Sequence, residues 1–181
     1  MTKMTYDLDW LFTNYLDFFK VYGMEESDVR NHFQKWKESR KAPTVNDYLW
    51  YIFNHLQMET AKQASNEVQL YSSLRLIDMN MAMFLKLHEK RNANHIMRSM
   101  FRNDILLNEA QSNIKLQVKI VSGACCPHCD SFNEKIMTIE EALENLPIAS
   151  DICTKHLGCN CGLAYVPVRD TFGRIVRKHR V

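Results

Sequence analysis

Cysteine is missing from the first 124 residues of this 181-residue chain, and all six cysteines fall between Cys125 and Cys161. Secreted disulfide scaffolds spread their cysteines through a small domain, so this crowding argues against that class and favours metal ligation. Glycine and proline are scarce as well, and residues 44 to 122 contain neither. Both residues interrupt helices, so a gap of that length predicts long ones. Long apolar runs are absent too, and none approaches the roughly 18–20 residues that span a bilayer. The first ten residues, Met1 to Trp10, carry Asp7 and Asp9 where a signal peptide would have a basic start and an apolar stretch. The expectation is a soluble, cytoplasmic protein with no membrane partner. An apolar share of 46% is enough to build a core and far from a disordered composition.

Charge is unevenly distributed. The formal net charge is +2, yet residues 169–181 hold Arg169, Arg174, Arg177, Lys178 and Arg180 against Asp170 alone. A short basic tail of this kind is a candidate contact to nucleic acid through counterion release. A solvated terminus is the plainer reading.

The first predicted helix runs from about Tyr6 to Val21, with Trp10, Leu11, Leu16, Phe18 and Phe19 on its apolar side and Gly23 as its stop. A second starts near Ser27 or Asp28, repeats Val29, Phe33 and Trp36 at helical spacing, and ends in Lys/Arg-rich sequence before Pro43. Thr44 caps a third, with Asp47 in the position of an imperfect capping box. Helical periodicity continues to Leu107, and the polar stretch 89–94 is the expected break. Residues 62–66 are a weaker candidate, and four to six helices result. Met79, Met81 and Met83 read as core filler. His32, His55, His88 and His95 stand singly, with no cysteine nearby, and are not expected as ligands.

At Ile114 the period changes. Leu116, Val118 and Ile120 alternate with Lys115, Gln117 and Lys119, as in a half-buried strand. Residues 138–146 predict a short helix with Thr138 as N-cap and Glu141 completing the box, and Pro147 ends it. Leu163 to Val168 predict a strand that Pro167 confines to an edge.

Between these elements lie Cys126-Pro127-His128-Cys129, then Cys153, then His156-Leu157-Gly158-Cys159-Asn160-Cys161. A C-x2-C pair turns tightly enough for both sulfurs to face one ion, and zinc takes four tetrahedral ligands. Cys126 and Cys129 form the better first pair, with Cys125 as an alternative. The second pair comes from Cys153 with Cys159 or Cys161, and His156 is in reserve. A redox C-x-x-C belongs beside a βαβ pattern that this chain lacks. A catalytic zinc keeps an open position next to a base, whereas thiolates in this number predict a closed, structural site. No catalytic residue is nominated, and the expectation is a non-enzymatic protein with a zinc cofactor. The whole predicts a mainly α fold. A helical domain over 1–113 is followed by a small α+β zinc-binding module, treble-clef-like or ribbon-like, over 114–168, and by a basic tail over 169–181.

The strand Leu116–Val121, Cys126-Pro127-His128-Cys129, Leu146-Pro147 and the H-x-x-C-x-C run from His156 to Cys161 together resemble the C-terminal region of phage Mu F-like head morphogenesis (minor capsid) proteins. The family's usual His-Pro and intervening Arg are replaced here by His156-Leu157 and Asn160, and Cys125 and Cys153 are additional. The resemblance implies an assembly factor of a phage or prophage, found in the host cytoplasm or the virion and contacting portal or head proteins. The alternative is a zinc-containing nucleic-acid-binding or regulatory protein that uses the tail with Lys115, Lys119 and Lys155. Against it, Phe132 and Tyr165 are the only aromatic residues between 116 and 168.

Overall fold

The computed structural model describes residues 6–124 and 126–178, so Cys125 and Arg180 lie outside the described residues. The chain divides into two compact units, one up to Glu59 and one from Thr60 onward. The boundary expected after residue 113 falls inside the second unit.

Three helices build the first unit: α1 (Leu8–Val21), α2 (Glu26–Glu38) and α3 (Val45–Gln63), whose last residues run past the division. Asp7 caps α1, its Oδ1 accepting from Trp10 N at 2.8 Å. α2 starts at Glu26, next to the expected Ser27 or Asp28, and Asp28 closes a capping box by accepting the Glu25 N–H at 3.0 Å. Thr44 and Asp47 cap α3 as the sequence predicts, with Asp47 N donating to Thr44 Oγ1 at 3.2 Å and Thr44 N to Asp47 Oδ2 at 3.0 Å. The interior is largely aromatic. Phe18 meets Phe53 edge-on at 5.6 Å, Phe33 meets Tyr48 at 4.9 Å, and Tyr48, Phe19 and Phe53 are fully buried. Burying one such side chain stabilises by about 1.5–3 kcal/mol relative to exposure, and geometry of this kind adds about 0.5–1.5 kcal/mol per pair. The Tyr48 hydroxyl stays satisfied by donating to Val29 O at 3.1 Å.

In the second unit, α4 (Glu67–Leu87) and α5 (Asn94–Gln111) form an antiparallel hairpin. The weaker of the two expected breaks is real. Asn66, which is no helix breaker, caps α4 by accepting from Gln69 N at 2.9 Å. Asp78, almost wholly buried on α4, accepts from Asn103 Nδ2 of α5 at 2.9 Å, and Arg75 forms an ion pair with Asp104. Met81 is buried, but Met83 is 48% exposed. Residues two apart on a helix turn through about 200°, so an alternating row cannot share one core face.

A three-stranded antiparallel sheet follows, in the order β2 (Ile136–Thr138), β1 (Leu116–Val121), β3 (Gly162–Pro167). Val118 faces Met137 on one side and Tyr165 on the other, and Pro167 lies on an edge strand as expected. Short helices α6 (Pro127–Asp130) and α7 (Ile139–Glu144) flank β2, and α7 carries the predicted Thr138–Glu141 capping box. Two contacts tie the sheet region to the hairpin. Tyr165 Oη donates to Asp104 Oδ2 at 2.7 Å, and Arg102 Nη1 donates to Leu143 O at 2.6 Å.

Residues 169–178 fold back, with isolated bridges between Arg169 and Ile175 and between Ile114 and Arg177. Arg174 pairs with Asp170 at 2.9 Å and Lys178 with Glu109 at 2.6 Å. Two of the tail's cations therefore have acidic partners, and Lys119 likewise pairs with Glu134. Among the described residues no helix is long and apolar enough to cross a membrane.

Candidate metal centre

Two loops build the site. The first leaves β1 through Ser122, Gly123 and Ala124 and enters α6. Cys126 stands at the N-cap position of that helix, Pro127 opens it, and Cys126 Sγ accepts the Cys129 N–H at 3.4 Å. A proline suits the first helical position because no hydrogen bond is lost there. The tight turn this produces holds the two sulfurs on the same side.

The second loop carries Cys153, Cys159 and Cys161. Leu146, Ile148 and Ala149 anchor its start in the core. Cys153 N donates to Ser150 O at 3.1 Å, and Gly158 N donates to Lys155 O at 3.1 Å. Gly158 has φ +117°, a conformation side chains rarely adopt. Cys161 N then donates to Cys159 Sγ at 3.4 Å, which is the turn needed for two alternating cysteines to face one centre. The loops touch at Gly123. Its N–H donates to Cys161 Sγ at 3.5 Å, and a Cβ placed there would lie 2.2 Å from Asn160 O.

None of the five described cysteines forms a disulfide, and all are buried, at most 5% exposed. Cys126, Cys129 and Cys153 place their sulfurs within 4.8 Å of one another, and so do Cys129, Cys159 and Cys161. Cys126 Sγ lies 3.8 Å from Cys153 Sγ, and Cys129 Sγ lies 3.7 Å from Cys159 Sγ. A disulfide would bring the sulfurs to about 2.05 Å. This cluster could hold a metal ion.

The thiols differ in their electrostatics. The Cys129 and Thr154 backbone N–H groups hold the Cys126 thiol down at about 6, outweighing burial. Burial drives Cys129 far above the ordinary thiol range, and the neighbouring Cys126 and Cys159 add to it. Burial also raises Cys153, against the Lys155 N–H. Packed this closely in a dry site, the thiols cannot all ionise by themselves, and a cation held among them would supply the compensating charge.

His156 is exposed and belongs to neither group of three. His128 is turned away to structural work, with Nε2 3.2 Å from Pro147 O and its ring edge-on to Phe132 at 5.2 Å.

Sequence reasoning missed the residues of the helical hairpin that grip the second loop. Asn94, the first residue of α5 and 4% exposed, accepts the Cys159 N–H at 2.8 Å and donates to Ser150 O at 3.1 Å. Ala93 N donates to Leu157 O at 3.3 Å, and Lys86 Nζ reaches Asn160 Oδ1 at 3.3 Å. The polar run 89–94 had read only as a break between helices. Its two asparagines, able to donate and accept at once, were the available signal.

No protein-family model, curated protein or solved structure matches the chain.

Proposed function

We propose that the cysteine cluster is a structural zinc site held by Cys126, Cys129, Cys153 and Cys159, with Cys161 in reserve. One observation carries this reading. A tetrahedral ion with metal–sulfur bonds of about 2.3 Å has sulfur–sulfur edges of about 3.8 Å. The Cys126–Cys153 and Cys129–Cys159 separations, 3.8 and 3.7 Å, match two such edges. They share no cysteine and so name four candidate corners, although Cys159 stands outside the group in which Cys126, Cys129 and Cys153 lie within 4.8 Å of one another, and the two groups meet at Cys129. Backbone N–H groups aimed at the sulfurs support thiolates rather than thiols. The knuckle, short helix and return strand are in keeping with a treble-clef-like module.

Thiolates filling every position leave no place for a substrate or an activated water, which supports a non-enzymatic role. On this reading the ion holds together a surface whose work is contact with other proteins. The likeness of residues 116–161 to phage Mu F-like head morphogenesis proteins supports an assembly factor that binds portal or head proteins. Binding of purified portal protein by the metal-loaded chain, lost on chelation, tests that part.

Elemental analysis of freshly purified protein and its variants tests the site. One zinc per chain is expected, lost in Cys126→Ser, Cys153→Ser and Cys159→Ser and kept in Cys161→Ser. Iron in its place would refute zinc, since tetrahedral thiolates suit both metals. A metal-free, folded protein would refute the site.

A further inference from the structure

The first unit carries a site of different chemistry. Between residues 35 and 41, Lys35, Lys37, Arg40 and Lys41 face Glu38 alone, a local charge of +3. Lys41 makes no ion pair among the described residues, and neither do the other three. A cleft of about 440 Å³ opens there, where α2 ends and α3 begins. Its walls include Trp36, Arg40, Lys41, Pro43, Asp47 and Tyr51.

The wall is built rather than incidental. The Arg40 guanidinium lies 4.4 Å from the Trp36 ring and 5.4 Å from the Tyr51 ring, and its Nη1 donates to Trp36 O at 3.0 Å. It is thus fixed at the cleft, where its fork of donors matches the geometry of a phosphate. The Asp47 carboxylate is engaged as the cap of α3, accepting from Thr44 Oγ1 at 2.6 Å. The Trp36 indole Nε1 is one of three buried side-chain polar atoms without a hydrogen-bond partner among the described residues, although its ring is only 7% exposed. Cations beside planar aromatic rings are the recurring means of holding an unpaired nucleotide, the rings stacking a base while the cations take its phosphate. The cleft volume falls in the range of small-ligand sites. Lys35 and Lys37, flanking Trp36 in sequence, extend the positive charge beyond the lining residues, which suits a polyanion better than a free nucleotide.

We propose that the cleft between α2 and α3 binds one nucleotide of a single-stranded nucleic acid, its base against Tyr51 and its phosphate on Arg40 and Lys41, with Trp36 holding Arg40 in place. The site is separate from the cysteine cluster and does not rest on the metal reading.

The test is fluorescence anisotropy of a labelled oligothymidine titrated with the full, metal-loaded chain at low salt. The wild type is expected to bind. Arg40→Gln/Lys41→Gln should weaken binding by about tenfold or more and lower the salt slope by about 1.4, two cations at about 0.7 each. Unchanged thermal unfolding of that variant would show that the fold survives. Arg174→Gln/Arg177→Gln, which removes tail charge, should leave affinity unchanged. The proposal is overturned by absence of binding, by binding that survives the double substitution, or by loss confined to the tail variant. Equal affinity for a duplex of the same length, or full displacement by an equal concentration of mononucleotide, would overturn it as well.

Discussion

The two units are stabilised by different means. Up to Glu59, the core is made of large rings and branched chains, with Tyr48, Phe19, Phe53, Leu11, Leu49 and Ile52 at most 1% exposed. The sheet and loops after residue 114 bury fewer and smaller apolar chains, chiefly Val118, Ile120, Met137, Ile139, Leu146 and Ile148, and add five cysteines. The first region is held together by apolar burial, and on the proposed reading a metal ion at the cysteine cluster adds to the smaller apolar core of the second. Asn94 and Lys86 of the α4–α5 hairpin also hold the second cysteine loop.

The comparison can be broken at either end. Gly123→Ala should have the largest effect, because the added methyl collides with the backbone of Asn160 and forces the two ligand loops apart. Metal content measured after gel filtration should fall to well under one ion per chain, while tryptophan fluorescence stays native. Trp10, Trp36 and Trp50 all precede Glu59, so that signal reports on the first unit alone. Phe53→Ala is the converse. Loss of a fully buried ring should cost the first unit about 3–5 kcal/mol in urea unfolding, with metal content unchanged.

The smallest expected effect is a pH dependence in the first unit. Burial, then His55 and Lys35, lower the His32 pKa below 6.5. A histidine depressed in the folded state binds its proton more readily when unfolded, so stability rises with pH. The contribution is complete above about 6.5 and is lost as pH falls through the folded value. The urea midpoint followed by tryptophan fluorescence should be lower at pH 5 than at pH 8, and the difference should shrink in His32→Gln.

Elements with a local signature were legible in the sequence. The Thr44–Asp47 and Thr138–Glu141 caps, the alternation in Leu116–Val121 and the break at 89–94 all reappear where the residues place them. The cysteines gave away their convergence through spacing alone. Features that depend on partners distant in the chain were not legible. β2 is three residues long and is a strand because β1 offers it a partner, and α6 is a single turn fixed by Cys126 and Pro127. The role of Asn94 requires knowing that residues 150–159 return to the start of α5, which no local pattern records. The tail read as a free basic segment because its partners, Glu109 and Ile114, lie far upstream.

Hydrogen-exchange mass spectrometry of the full chain, before and after a strong chelator, tests the central claim most directly. The account predicts that peptides covering 116–168 lose protection when the ion is removed. The first turn of α5 should loosen with them through Asn94, and residues 8–56 should keep their protection. Unchanged exchange across 116–168 after the metal has been stripped, or a native protein that never held a metal, would contradict it.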